Sequence, residues 1–121
     1  MTSNAEDRVN AFRECDLFTE LDPGHLATLA EQAETVSLAA GEVLFEQDDH
    51  ADAVYVVLSG KLEAVRTRKD GKSLQLGVME RGRPVGELGL LFGRPRAATV
   101  RALEDASLAR LTPDSLGRTL G

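Results

Sequence analysis

From Thr35 to Leu111 the chain is cut into short apolar runs by turn residues, and this cadence excludes most architectures. Val36 and Leu38 alternate with polar residues, Gly41 permits a turn, and Val43-Leu44-Phe45 makes a short strand. Ala53–Leu58 is a β-rich run ended by Ser59-Gly60. Lys61–Arg68 alternates, with Leu62, Ala64 and Arg66 in one phase and Glu63 and Val65 in the other. Asp70-Gly71 is the strongest short hairpin signal in the chain, and Lys72–Met79 is the return strand. Ala97–Leu103 and Ser107–Leu111 read as two more strands. In all, about eight short strands spaced roughly 8–12 residues apart favour a sandwich, roll or barrel over a parallel sheet.

Helices flank this region. Residues 5–33 place Val9, Phe12, Leu17 and Phe18 on one helical face, with an interruption near Asp16–Thr19. Asp22-Pro23 starts a second helix: the carboxylate caps free N–H groups, and proline fits the first turn. Leu26, Leu29 and Ala30 are expected to face inward. Thr112-Pro113-Asp114 opens a short last helix. With 121 residues and no repeat or linker, one domain over 1–121 is expected.

Charge narrows the partners. The net charge of −6 weakens attraction to nucleic acid or anionic lipid. No apolar run approaches the roughly 20 residues of a membrane span. The polar start MTSNAEDRVN does not read as a signal peptide. The single cysteine, Cys15, suits a reducing compartment, so a cytoplasmic location is expected. Against this acidic background, residues 81–101 carry Arg81, Arg83, Arg94, Arg96 and Arg101 with Glu87 as the one acid. Such an island is either a solvated basic face or a site for a small anion or an intramolecular partner.

Catalytic and metal motifs do not survive inspection. Gly71-Lys72-Ser73 imitates the end of a P-loop, but Arg66 stands where that motif needs glycine and a strand follows. His25 and His50 lack metal-ligand spacing, and Ser59 lacks the glycines of a nucleophile elbow. Cys15 and Tyr55 read as core residues. The expectation is no catalytic residue, no metal and no cofactor.

Residues 85–101 break the alternation of their neighbours. Gly86-Glu87 with Leu88, Leu90, Leu91 and Phe92 suits a strand end followed by one or two helical turns, which Gly93 stops. The first N–H groups of such a turn attract anions, and Gly86 and Gly89 let a ligand approach the backbone. Arg96 offers a planar fork matched to phosphate oxygens. Glu87 would repel a phosphate, but an ionised carboxylate accepts from a hydroxyl. The set asks for a ligand with both a phosphate and a free sugar hydroxyl.

Gly86–Val100 resembles the phosphate-binding cassette of the cyclic-nucleotide-binding domain family. That family includes regulatory subunits of cAMP-dependent protein kinase, catabolite activator proteins and cyclic-nucleotide-gated channels. Its pattern runs Phe-Gly-Glu-Leu-Ala, a spacer, then Pro-Arg-Ala-Ala-Thr-Val. Gly86, Glu87, Leu88 and the run Pro95–Val100 match, with Val85 at the aromatic position and Gly89 at the alanine. Gly41–Phe45 and Tyr55–Gly60 resemble the family's glycine-marked strand turns, so the similarity covers about residues 17–120, with 1–16 as a helical extension.

The resemblance implies a mainly β fold. This is an eight-stranded, jelly-roll-like β-roll with N-terminal helices, a short cassette helix and a short C-terminal helix. It also implies that Glu87 holds the ribose 2′-OH and Arg96 the exocyclic phosphate oxygens. The Gly89 and Ala97 N–H groups complete the cradle, and Leu88 and Ala98 complete the binding set. A threonine after the arginine is associated with cGMP in the family, so Ala97 implies cAMP, with cGMP as the second choice. The implied partners are the nucleotide and an effector outside the chain, with a homodimer as an option. Two departures are noted: Asp48-Asp49 replaces the family's Gly-Asp, and no long C-terminal helix precedes Gly121. Aspartate tolerates a left-handed backbone, so that turn is expected to form. Two alternatives remain: a sensor fragment of a larger effector, and a family fold without ligand, in which Glu87 and Arg96 form an ion pair.

Overall fold

The computed structural model describes residues 5–120, without the side chains of Leu88, Leu91 and residues 118–120. The helical stretch resolves into α1 (Ala5–Glu14), a single 3₁₀ turn at Asp16–Phe18, and α2 (Pro23–Gln32). The Asp22 carboxylate accepts from the His25 N–H at 2.8 Å, which caps α2 as its sequence requires.

Among the described residues eight strands follow. They are β1 (Glu34–Leu38), β2 (Val43–Phe45), β3 (Val54–Ser59), β4 (Leu62–Thr67), β5 (Ser73–Met79), β6 (Pro84–Val85), β7 (Thr99–Ala102) and β8 (Ala106–Leu111). A short helix, α3 (Glu87–Phe92), lies between β6 and β7, and α4 (Pro113–Leu120) follows β8. The strands form two antiparallel sheets, β1-β8-β3-β6 and β2-β7-β4-β5. This is the expected β-roll.

The two faces of β3 organise the packing. Val54, Val56 and Leu58 meet Phe12, Phe18, Leu26 and Leu29 of the helical layer. Tyr55 and Val57 point the other way and join Leu62, Val85, Val100 and Leu108 between the sheets. A strand covered on both faces must read as a continuous apolar run, as Val54–Leu58 does. Cys15 is fully buried in the helical cluster, and burial raises its thiol pKa.

The strand end expected before Gly86 is β6, whose Pro84–Val85 pairs with β3. Two expectations need correction. β7 begins at Thr99, not Ala97, because Arg96 spends its backbone groups on the turn after β2. Its carbonyl accepts from the Asp48 N–H and its N–H donates to the Asp49 carbonyl, both at 2.8 Å. Glu63, in the outward phase of β4, is buried because Arg101 and Gln75 cover it, with contacts of 2.6 and 2.9 Å.

Nor are the five arginines one island. Arg81 fastens α1, donating to Glu14 (2.9 Å), Asp7 (3.2 Å) and the Leu58 carbonyl (3.0 Å). Arg101 serves Glu63, and Arg94 sits over the Phe92 ring. Asp48 bears out the expected turn: its φ is 75°, the one positive value outside glycine among the described residues.

Candidate functional site

Between the sheets and α3 lies a cavity of about 410 Å³ whose charged lining residues are Arg83, Glu87 and Arg96. Arg96 is its most constrained member. Only 3% of the residue is exposed. Nη1 donates to the Gly86 carbonyl at 3.0 Å and Nη2 to the Ala53 carbonyl at 2.8 Å. The guanidinium carbon stands 4.0 Å from the centre of the Phe45 ring, a cation–π contact. Burial lowers its pKa, while Tyr55, Asp52 and Asp49 oppose that shift. Its Nε is buried without a hydrogen-bond partner among the described residues, which is costly for a cation.

The local chain makes this placement unavoidable. Gly86 caps α3 in a left-handed conformation (φ 79°), and Gly93 ends the helix in another (φ 62°). The two-way backbone contact with Asp48 and Asp49 then fixes where Arg96 enters.

Gly86 and Gly89 are also constrained from inside the protein. A Cβ on Gly86 would overlap the Arg96 guanidinium, and one on Gly89 would press against Ala51 Cβ at 2.9 Å. Both positions are glycine for internal packing, whatever a ligand also needs. Glu87 is half-buried and does not pair with Arg96, whose nearest carboxylate is Asp52 at 3.6 Å. The simple Glu87–Arg96 ion pair is therefore not the arrangement found. Glu87 also borders a smaller apolar cavity of about 210 Å³ shared with Phe18, Leu90 and Leu116.

Gly86, Glu87, Gly89, Arg96, Ala97 and Ala98 all line the larger cavity. Ala97 is exposed and Ala98 buried, and the Leu88 side chain lies outside the described residues. Sequence reasoning missed Phe45, Ala64, Leu76, Gly77 and Arg83 as lining residues. Gly77 carried a signal, a glycine inside an alternating strand, but Phe45 carried none beyond its apolarity.

Among the described residues no three His, Cys, Asp or Glu side chains gather as a metal site. No helix there is long and apolar enough to cross a membrane.

Residues 35–120 match the family described as the cyclic nucleotide-binding domain. The chain is 42% identical over 88% of its length to an uncharacterized ABC transporter ATP-binding protein of Mycobacterium tuberculosis, spanning 32% of it. It is 36% identical over 89% of its length to a cAMP-dependent protein kinase regulatory subunit of Emericella nidulans, spanning 26% of that protein. It thus spans a third or less of either relative. The regulatory domain of Toxoplasma gondii PKA, solved with cAMP, shares the fold with a TM-score of 0.87 and 22% identity, over 97% of this chain and 45% of that one. With residues 35–120 matched by the family's model and the expected β-roll in place, the chain belongs to the cyclic nucleotide-binding domain family.

Proposed function

We propose that this chain is a single ligand-sensing domain that binds cAMP in the larger cavity and passes its occupancy to an effector outside residues 1–121. One observation carries the reading: a buried arginine with an unsatisfied Nε donor lines a cavity large enough for a small ligand. An anionic phosphate supplies the acceptor that this donor lacks. The α3 N-terminus adds free N–H groups, including that of Gly89, and Ala97 completes the cradle. Glu87, unpaired with Arg96, is free to accept from a ribose hydroxyl. Leu88 and Ala98 complete the set, and the domain performs no chemistry on the nucleotide.

The name of the Emericella relative supports cAMP as the ligand, and the greater length of both relatives supports an effector elsewhere. A homodimer and a cytoplasmic setting belong to the same proposal.

Calorimetric titration with cAMP and cGMP tests it. The expected result is saturable binding with cAMP tighter. A folded chain indifferent to millimolar amounts of both would overturn it. That outcome would favour a second reading, a scaffold without ligand. The two backbone carbonyls already bound by Arg96 favour that reading.

A further inference from the structure

Arg96 is a buried cation held mainly by uncharged groups. Nη1 and Nη2 donate to the Gly86 and Ala53 carbonyls, and the nearest carboxylate, Asp52, stands 3.6 Å away. Those two bonds fix two points of a planar guanidinium and leave it able to tilt about the line between them. The Phe45 ring opposes that tilt, since the guanidinium carbon lies over it, 4.0 Å from its centre. The Tyr55 ring is farther off, at 6.0 Å. A ring face stabilises a cation without taking a hydrogen bond from it. The charge is thereby supported while the buried Nε donor stays unspent. A carboxylate in the same place would pair with the cation and repel an incoming anion.

The chain departs from regular pairing to bring the ring there. Val43 pairs with Arg101 but Phe45 with Val100, so β2 carries an extra residue opposite β7. Strict alternation would put Phe45 on the side of Val43, which is exposed. With the bulge, Leu44 and Phe45 both pack against the inter-sheet core, and Phe45 lines the larger cavity. Bulges bend a strand and re-aim its side chains in this way.

We propose that Phe45 is a positioning residue of the anion site: its ring fixes the tilt of the Arg96 guanidinium, so that Arg96 meets the phosphate in a set orientation. This rests on the cyclic-nucleotide reading above. Phe45 acts through Arg96, not by binding the phosphate itself.

The test compares wild type, Phe45→Leu and Phe45→Tyr by cAMP titration, by melting curves, and by the Arg96 Nε–H signal in NMR spectra of the ligand-free protein. That signal is assigned by its absence from Arg96→Lys. Phe45→Leu keeps an apolar side chain but removes the ring, and it should weaken cAMP about fivefold or more. The Nε–H signal should shift in the same variant, because the ring-current shielding is lost. Phe45→Tyr keeps the ring, and it should hold the signal in place and the affinity within about twofold. Unchanged cAMP affinity in Phe45→Leu overturns the proposal. So does a loss of affinity with the Nε–H signal unmoved, since Phe45 would then act as cavity wall and not through Arg96. An equal loss in both variants also overturns it, because the ring would not be what matters. If Phe45→Leu fails to fold, Phe45→Met takes its place and is read the same way. Wild type that binds neither cAMP nor cGMP overturns the cyclic-nucleotide reading itself. The Nε–H signal, read without ligand, tells that outcome apart from a failure of the Phe45–Arg96 contact.

Discussion

Gly86 and Arg96 fit each other as a pair. The Gly86 carbonyl takes the Arg96 Nη1 hydrogen bond at 3.0 Å, and the space where a Gly86 side chain would begin is filled by that same guanidinium. Gly86 also holds a φ of 79°, which L side chains rarely adopt. Gly86→Ala should therefore cost about 1–3 kcal/mol of stability through strain and overlap, and it should displace Arg96. Denaturant unfolding measures the first effect and nucleotide titration the second. A variant with unchanged affinity would show that Arg96 is not held from Gly86.

Arg96→Ala should abolish nucleotide binding and also lower stability. It strips the part-buried Gly86 carbonyl and the buried Ala53 carbonyl of this donor, and a buried acceptor left without a partner costs about 1–3 kcal/mol. Adding cAMP should then no longer raise the melting temperature. In wild type a hundredfold excess over Kd should contribute about 2.7 kcal/mol. Arg96→Lys should bind poorly as well, because a point charge cannot keep both carbonyls and a phosphate. Full binding by either variant would place the anion elsewhere.

Glu87→Gln should weaken cAMP less than Arg96→Ala does. Most of that loss should disappear when 2′-deoxy-cAMP is the ligand, since the hydroxyl that Glu87 is proposed to hold is gone. A four-way titration gives the coupling directly. Equal sensitivity of both ligands would remove Glu87 from the ribose.

Ala97 is exposed and lines the cavity, so a larger side chain can be accommodated there. Ala97→Thr should narrow or reverse the proposed preference for cAMP over cGMP by adding a hydroxyl to the cavity wall. Paired titrations check this. Wild type that favours cGMP, with no change in the variant, would mean that other residues read the base.

Glu63 gives the fold a pH dependence of known sign. Hydrogen bonds from Arg101 and Gln75 hold its carboxyl below the usual glutamate range. A carboxylate depressed in the folded state contributes stability that is present above its unfolded pKa. That stability is lost as pH falls through the lower folded value. Glu63→Gln should flatten the acid limb of a stability–pH curve, read from urea midpoints. Parallel curves for the two proteins would count against this coupling.

Much of this was legible in the residues because it depends on local sterics. The Asp22-Pro23 start, the helix stop at Gly93 and the left-handed Asp48 follow from backbone preferences within a few positions. The continuous apolar run of β3 and the break in alternation after Val85 mark the doubly covered strand and the segment beside the cavity.

Only the tertiary structure decided which partner each side chain takes. Five arginines close in sequence are alike as residues. The fold sends Arg81 to α1, Arg101 to Glu63 and Arg96 into the core. It also makes Gly86 and Gly89 packing necessities and sets Gly77 beside Ala64 on the cavity wall. Charge and periodicity specify what a residue can bind and which way its backbone runs. The distance between residues far apart in the chain is set when two sheets and a helical layer close on one another, and that distance selects the partner.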